Sequence, residues 1–106
     1  MRQALFAVAV ALTAAAALPA RTAGRTVTVT IDKLRFAPLP GGLHAGDTIV
    51  WVNRDIFQHS ATARDGSFNI DLPAGSSGKT LLRRAGKIAF YCRYHPGMAG
   101  TIEVLK

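Results

Sequence analysis

The sequence predicts an all-β domain, an antiparallel-rich sandwich or barrel, on three observations. Thr26 to Ile31 alternates without a break, so Val27, Val29 and Ile31 share one face and three threonines the other. Further β-branched or aromatic runs follow, bounded by turn residues: TIVWVN from Thr48, SFNIDL from Ser67, KTLLR from Lys79, KIAFYC from Lys87 and TIEVL from Thr101. No stretch after residue 20 carries a helical period. Strands that follow one another across turns bury their apolar faces by packing as two layers or closing into a barrel.

Taken in order, the chain of 106 residues opens on a basic start, Met1-Arg2. Ala4 to Leu18 is then apolar except for Thr13, and Pro19-Ala20 follows. This reads as a secretory signal peptide over residues 1–20, cleaved at Ala20 or Ala23. The run is shorter than the roughly 20 residues that span a bilayer. Residues 21–106 form one domain, long enough for a single small core. After the alternating strand, Phe36 to Gly42 carries two prolines and two glycines and is expected to be a loop, with Phe36 plugging the core at its start. Ala45-Gly46-Asp47 turns into the Trp51 strand. Arg54 to Gly66 reads as a polar loop carrying His59. The strand from Ser67 ends at Pro73-Ala74-Gly75, and Ser76 to Gly78 extends that connection. Lys79–Arg83 and Lys87–Cys92 flank Arg84-Ala85-Gly86 as a short hairpin.

Thirteen Lys and Arg against six Asp and Glu give a net charge of +7, or +6 once Arg2 is lost (12 − 6). That balance points to an acidic partner surface. Nucleic acid is excluded, because the charges are scattered and do not interleave with aromatic residues. Lys87 lies five residues before Cys92, about 16 Å away along a strand. Arg83, Arg84 and Lys87 therefore belong to the end opposite Cys92, and His44 joins them there as a solvated turn histidine. Arg54, Arg64 and Arg93 are the cations placed to face a docking partner.

The chemistry is concentrated in Tyr91 to Met98, YCRYHPGM. A soft thiolate, an imidazole and a thioether in one tight loop suit copper, and a second histidine completes a trigonal site with a weak axial sulfur. The predicted ligands are His59, Cys92, His95 and Met98. Pro96 and Gly97 disfavour a helix, so a loop turning back on itself must bring the side chains inward. A lone cysteine makes no internal disulfide, and a metal serves as the staple while occupying the sulfur. Zinc matches a thioether poorly, and the C-x-x-C-H of haem attachment is absent.

Five segments carry a family resemblance: F-A-P from Phe36, G-D-T-I-V-W-V-N from Gly46, H-S-A-T from His59, D-G-S-F from Asp65, and Y-C-x2-H-P-x-M from Tyr91. In this order they resemble the cupredoxins, the small blue copper proteins, and within them the amicyanin and plastocyanin group. The resemblance implies a two-sheet Greek-key β-sandwich with one type 1 copper near one end, bound by His59 Nδ1, the Cys92 thiolate, His95 Nδ1 and axial Met98. It implies that the edge of His95 is the electron port, set in an apolar patch of Pro96, Gly97 and Met98 with Phe57 or Pro40. Ser60 stands where an asparagine usually ties the two ligand loops together, and its hydroxyl is expected to make the same tie more weakly.

The function so implied is a monomeric periplasmic carrier, not an enzyme, that cycles between Cu(II) and Cu(I). It passes single electrons between redox proteins such as a dehydrogenase, a cytochrome or an oxidase. Two other classes compete. One is a periplasmic copper carrier or storage protein, although Met98 is the only methionine after the signal peptide. The other is an enzyme with Cys92 as nucleophile and His95 as base, for which no third orienting group is visible.

Overall fold

In the computed structural model, residues 3–4 and 24–106 are described. The expected signal peptide, with its cleavage at Ala20 or Ala23, lies outside the described residues apart from Gln3 and Ala4. Among the described residues there are nine strands: β1 (Thr26–Asp32), β2 (Arg35–Phe36), β3 (Leu43–His44), β4 (Thr48–Asn53), β5 (His59–Ala63), β6 (Asn69–Leu72), β7 (Ser77–Leu81), β8 (Gly86–Tyr91) and β9 (Ala99–Leu105). They form one sheet in the order β2-β1-β4-β7 and another in the order β3-β9-β8-β5-β6. The all-β sandwich expected from the sequence is the fold found. No helix among the described residues is long and apolar enough to cross a membrane.

The alternation of β1 does what it predicts. Val29 and Ile31 are fully buried, and the strand lies parallel to β4 in the register Thr26↔Thr48 to Ile31↔Asn53. Trp51, on β4, is the centre of the core. Phe36 meets it edge-on at 5.8 Å between ring centroids and meets Phe90 at 4.9 Å, while Phe90 lies 5.2 Å from Trp51. Offset and edge-on pairs of this kind each add about 0.5–1.5 kcal/mol beyond their buried area. The indole N–H, which burial would otherwise leave without a partner, donates to Thr80 Oγ1 at 2.9 Å. On β9, Gly100 is paired with Phe90, and a Cβ there would stand 2.6 Å from the Phe90 ring. A side chain at this position and that ring cannot coexist without a shift in the core.

Three sequence expectations are corrected. Lys79–Arg83 and Lys87–Cys92 are not a hairpin. β7 pairs with β4, β8 pairs with β9 and β5, and the connection between β7 and β8 carries the chain from one sheet to the other. A short glycine-containing spacer fixes that the chain turns, but not which neighbour each strand finds. Secondly, β7 starts at Ser77, inside what reads as a connection. Thirdly, His59–Ala63 is not loop but a strand with all five residues buried. Its place inside the five-stranded sheet, between β8 and β6, leaves neither of its edges open.

This topology sorts the connections. The β1–β2 turn and the β4–β5, β6–β7 and β8–β9 loops gather at one end. The β3–β4 and β7–β8 connections gather at the other, where the pairings His44↔Leu105 and Lys87↔Glu103 also put His44 and the Arg83-Arg84-Lys87 cluster.

Candidate metal centre

The start of one strand and the loop after another supply the donor atoms. His59 opens β5 and is fully buried. Cys92 follows β8 and is also fully buried, while His95 is partly exposed. The Cys92 Sγ lies 3.6 Å from His59 Nδ1 and 3.9 Å from His95 Nδ1. All three donor atoms fall within 4.8 Å of one another. Metal bonds of about 2.3 Å to sulfur and about 2.0 Å to nitrogen, opening at roughly 110–120°, put S and N about 3.5–3.7 Å apart. The spacing therefore suits one ion seated among the three. The donor set, one thiolate and two imidazoles, is that of a trigonal copper site. Met98, the fourth residue expected from the sequence, is 7% exposed and is joined to the others through the backbone. Its N–H donates to the His95 carbonyl at 2.8 Å, and its own carbonyl accepts from the Cys92 N–H at 3.0 Å. The loop from Cys92 to Met98 thus closes on itself, as Pro96 and Gly97 require.

The tautomer of His59 follows from its other nitrogen. Nε2 lies 2.8 Å from Asp55 Oδ2. The Asp55 carboxyl is held below its ordinary range, first by the Leu34 backbone N–H, then by His59, against the opposing effect of burial. An ionised carboxylate only accepts, so Nε2 carries the proton and Nδ1 is left with a free lone pair facing the sulfur. Sequence reasoning missed Asp55. A carboxylate four residues before a histidine is a signal only on a helix, and here it sits in an irregular loop.

Ser60 ties the two loops together, as expected of it. Its hydroxyl accepts the Arg93 N–H at 2.9 Å and shares a hydrogen bond of 2.8 Å with Thr62. Its backbone N–H donates to Cys92 Sγ at 3.4 Å. Asn53, also missed, anchors the β4–β5 loop. Its side-chain amide donates to the carbonyls of Phe57 and Leu72, both at 2.8 Å, and its oxygen accepts the Asp55 N–H at 2.9 Å.

The three cations expected to face a partner, Arg54, Arg64 and Arg93, are all exposed. Arg93 is also paired with Asp71 and lies over the Tyr94 ring, and Arg64 lies 4.4 Å over the Tyr91 ring. Of the apolar patch expected around His95, Met98 is buried, while Pro96 and Gly97 are exposed and Phe57 lies edge-on to His95 at 6.0 Å. Ile56 and Tyr94, not expected there, are 84% and 45% exposed.

No protein-family model matches the chain. It is 36% identical over 90 residues to a plastocyanin of Nostoc punctiforme, covering 67% of this chain and 65% of that protein. It is 28% identical over 84 residues to an amicyanin of Paracoccus versutus, covering 74% of this chain and 64% of that protein. The chain thus spans just under two thirds of the length of these relatives. Among solved structures, the crystal structure of amicyanin from Paracoccus versutus superposes with a TM-score of 0.65 at 24% identity, over 76% of this chain and 81% of that one. A purple cupredoxin from Nitrosopumilus maritimus superposes with a TM-score of 0.63 at 22% identity, over 74% of this chain and 98% of that one.

Proposed function

Since this chain belongs to the cupredoxins, we propose that it is a small type 1 copper protein carrying single electrons between redox partner proteins. His59 Nδ1, Cys92 Sγ and His95 Nδ1 would hold the copper, with the Met98 thioether as a fourth, weaker ligand. The observation that carries this reading is the convergence of one sulfur and two imidazole nitrogens within 4.8 Å, enclosed by the fold.

Copper bound there supplies a one-electron couple whose two oxidation states prefer different coordination. What the chain supplies is constancy. Ser60 binds one ligand loop to the other, the Cys92 and Met98 backbones lock the second loop, and Asn53 fixes the first to the β6–β7 connection. Donors held from several directions move little when the charge between them changes, so little energy is spent on rearrangement. His95 is the only one of the three that reaches the surface, which makes its edge the exit for the electron. The apolar collar of Ile56, Phe57 and Tyr94 suits a small, transient contact. The net positive charge, with Arg54, Arg64 and Arg93 exposed, favours a partner that docks through an acidic surface. A dehydrogenase, a cytochrome or an oxidase in the periplasm fits that description, reached after export through the N-terminal signal.

The same enclosure speaks against the competing roles. A copper-delivery protein must release its cargo, and here His59 and Cys92 are fully covered. A nucleophilic cysteine must meet a substrate, and the sulfur has no exposed surface. The test is the visible spectrum of the Cu(II)-loaded protein. A strong thiolate-to-copper charge-transfer band is expected, and Cys92→Ala should abolish it. Copper binding without that band would overturn the assignment.

A further inference from the structure

We propose that Asp55 is a positioning residue that couples the β1–β2 turn to the orientation and electron donation of His59. The inference rests on the copper reading for its effect on potential, and on geometry alone for the coupling itself.

The Asp55 side chain is 10% exposed and receives three N–H donors. Oδ1 accepts from Lys33 at 3.1 Å, and Oδ2 accepts from Leu34 at 2.8 Å and lies 2.8 Å from His59 Nε2. Its own backbone N–H is held by Asn53, so the carboxylate is fixed from behind. Lys33 and Leu34 have φ of 51° and 59°, two consecutive side-chain-bearing residues in the left-handed region. Such a two-residue hairpin turn favours Asn-Gly, and neither residue here is of that kind. Burial does not hold the turn, since Leu34 is 43% exposed. The β1–β2 pairing Asp32↔Arg35 closes the turn, and at its tip the carboxylate collects both N–H groups that the left-handed conformation aims in one direction. The turn and the imidazole therefore share one acceptor. Moving either one displaces the oxygen that serves the other.

For His59 this has two effects. The ring plane is set and its proton kept on Nε2, leaving Nδ1 3.6 Å from the Cys92 sulfur. A negative charge behind the ring also makes Nδ1 a better donor, which favours the more highly charged copper state and lowers the potential.

Asp55→Asn separates shape from charge. The amide oxygen can still serve His59 and Leu34, but its NH2 then faces the Lys33 N–H, donor against donor. We expect Cu(II) affinity to fall about 10- to 100-fold, with a smaller loss for Cu(I), so that the reduction potential measured by voltammetry rises. In the metal-free protein, nitrogen NMR of the imidazoles should find the His59 proton on Nε2. The same substitution should shift the Lys33 and Leu34 amide resonances together with those of His59. Joint replacement Lys33→Asn and Leu34→Gly keeps both N–H donors while removing the backbone cost. It should raise Tm and leave the His59 proton where it is, which keeps the proposal testable if Asp55→Asn does not fold. The proposal is overturned if metal-free His59 carries its proton on Nδ1. It is equally overturned if Asp55→Asn lowers Tm while potential and affinity stay at wild-type values, for then the carboxylate merely braces the turn. Absence of the thiolate band in wild type would instead defeat the copper reading, and the metal-free NMR would still decide the coupling.

Discussion

The ligand end of the sandwich and the end carrying Arg83, Arg84 and Lys87 are closed by different kinds of bond. At the far end the main chain does most of the work: Gly46 N–H donates to the Leu82 carbonyl at 2.7 Å, and Leu82 N–H returns a bond to Asp47 at 2.8 Å. Side chains add less: Asp47 accepts from the N–H groups of Arg25 and His44, and the Arg25 guanidinium donates to the Gly41 carbonyl at 2.7 Å. At the ligand end, Asn53, Asp55, Ser60 and Asp71 join segments distant in sequence through their side chains. Main-chain bonds are available to almost any sequence, so they close a fold without fixing what it presents. Side-chain bonds demand particular residues and return fixed geometry, which is what the proposed electron carrier would require of its centre.

The sharpest test of this contrast is Asn53→Ala. The side chain is 1% exposed and serves carbonyls in two loops as well as the Asp55 N–H. Leaving those groups without partners should cost roughly 2–4 kcal/mol. Thermal melting of the metal-free protein should fall by on the order of 10–20 °C, and the thiolate band of the loaded protein should weaken. An unperturbed band would mean that the ligand end does not depend on its side-chain ties.

Ser60→Ala should have a smaller effect on stability, about 1–2 kcal/mol for one orphaned N–H at Arg93 and a lost Thr62 partner. Its effect on the spectrum should nevertheless be large for its size, because the lost bond joins the two ligand loops. Equal shifts in Tm and no shift in the band would place Ser60 in the scaffold alone.

The mildest test addresses the other end. The Asp47 carboxyl is held below its ordinary value of 3.8, chiefly by the His44 N–H, with burial opposing. A carboxyl depressed by folding adds stability above its unfolded value, and that stability disappears as pH falls through the folded one. Melts of the metal-free protein should therefore drop as pH goes below roughly 4. In Asp47→Asn the acid limb should be shallower, while the copper spectrum at neutral pH stays that of wild type. A changed spectrum would show that the two ends are not independent.

The parts of this fold that were legible in the sequence are those where pattern and environment agree. β1 and β4 alternate or carry β-branched residues because one face meets the core, and Trp51 was readable as core for the same reason. β5 was not legible. His59, Ser60 and Thr62 are polar residues in a strand buried on all sides, tolerated because their side chains bond to Asp55, to each other and to Asn69. Nothing local announces partners that lie elsewhere in space. The partition of β7 and β8 into different sheets failed for a related reason, since pairing is a choice among strands that a spacer does not encode. For the site, spacing within Tyr91 to Met98 pointed to Cys92 and His95, which the fold brings together with His59. The residues that hold those donors, Asp55 and Asn53, became visible only once three loops were brought to one end.

The two-residue strand β3 finds its partners in Val104 and Leu105, so the five-stranded sheet stays open along one side until β9 has docked. Domains built on such distant pairings fold in roughly milliseconds to seconds, long enough for a thiol to meet an oxidant. Cys92 is fully covered once folding is complete, and a sulfur out of reach of solvent is spared the oxidation that exposed thiolates undergo. The period of chemical risk is therefore set by how quickly the final strand arrives, a clock that lies in the order of the strands and not in the loop that bears the cysteine.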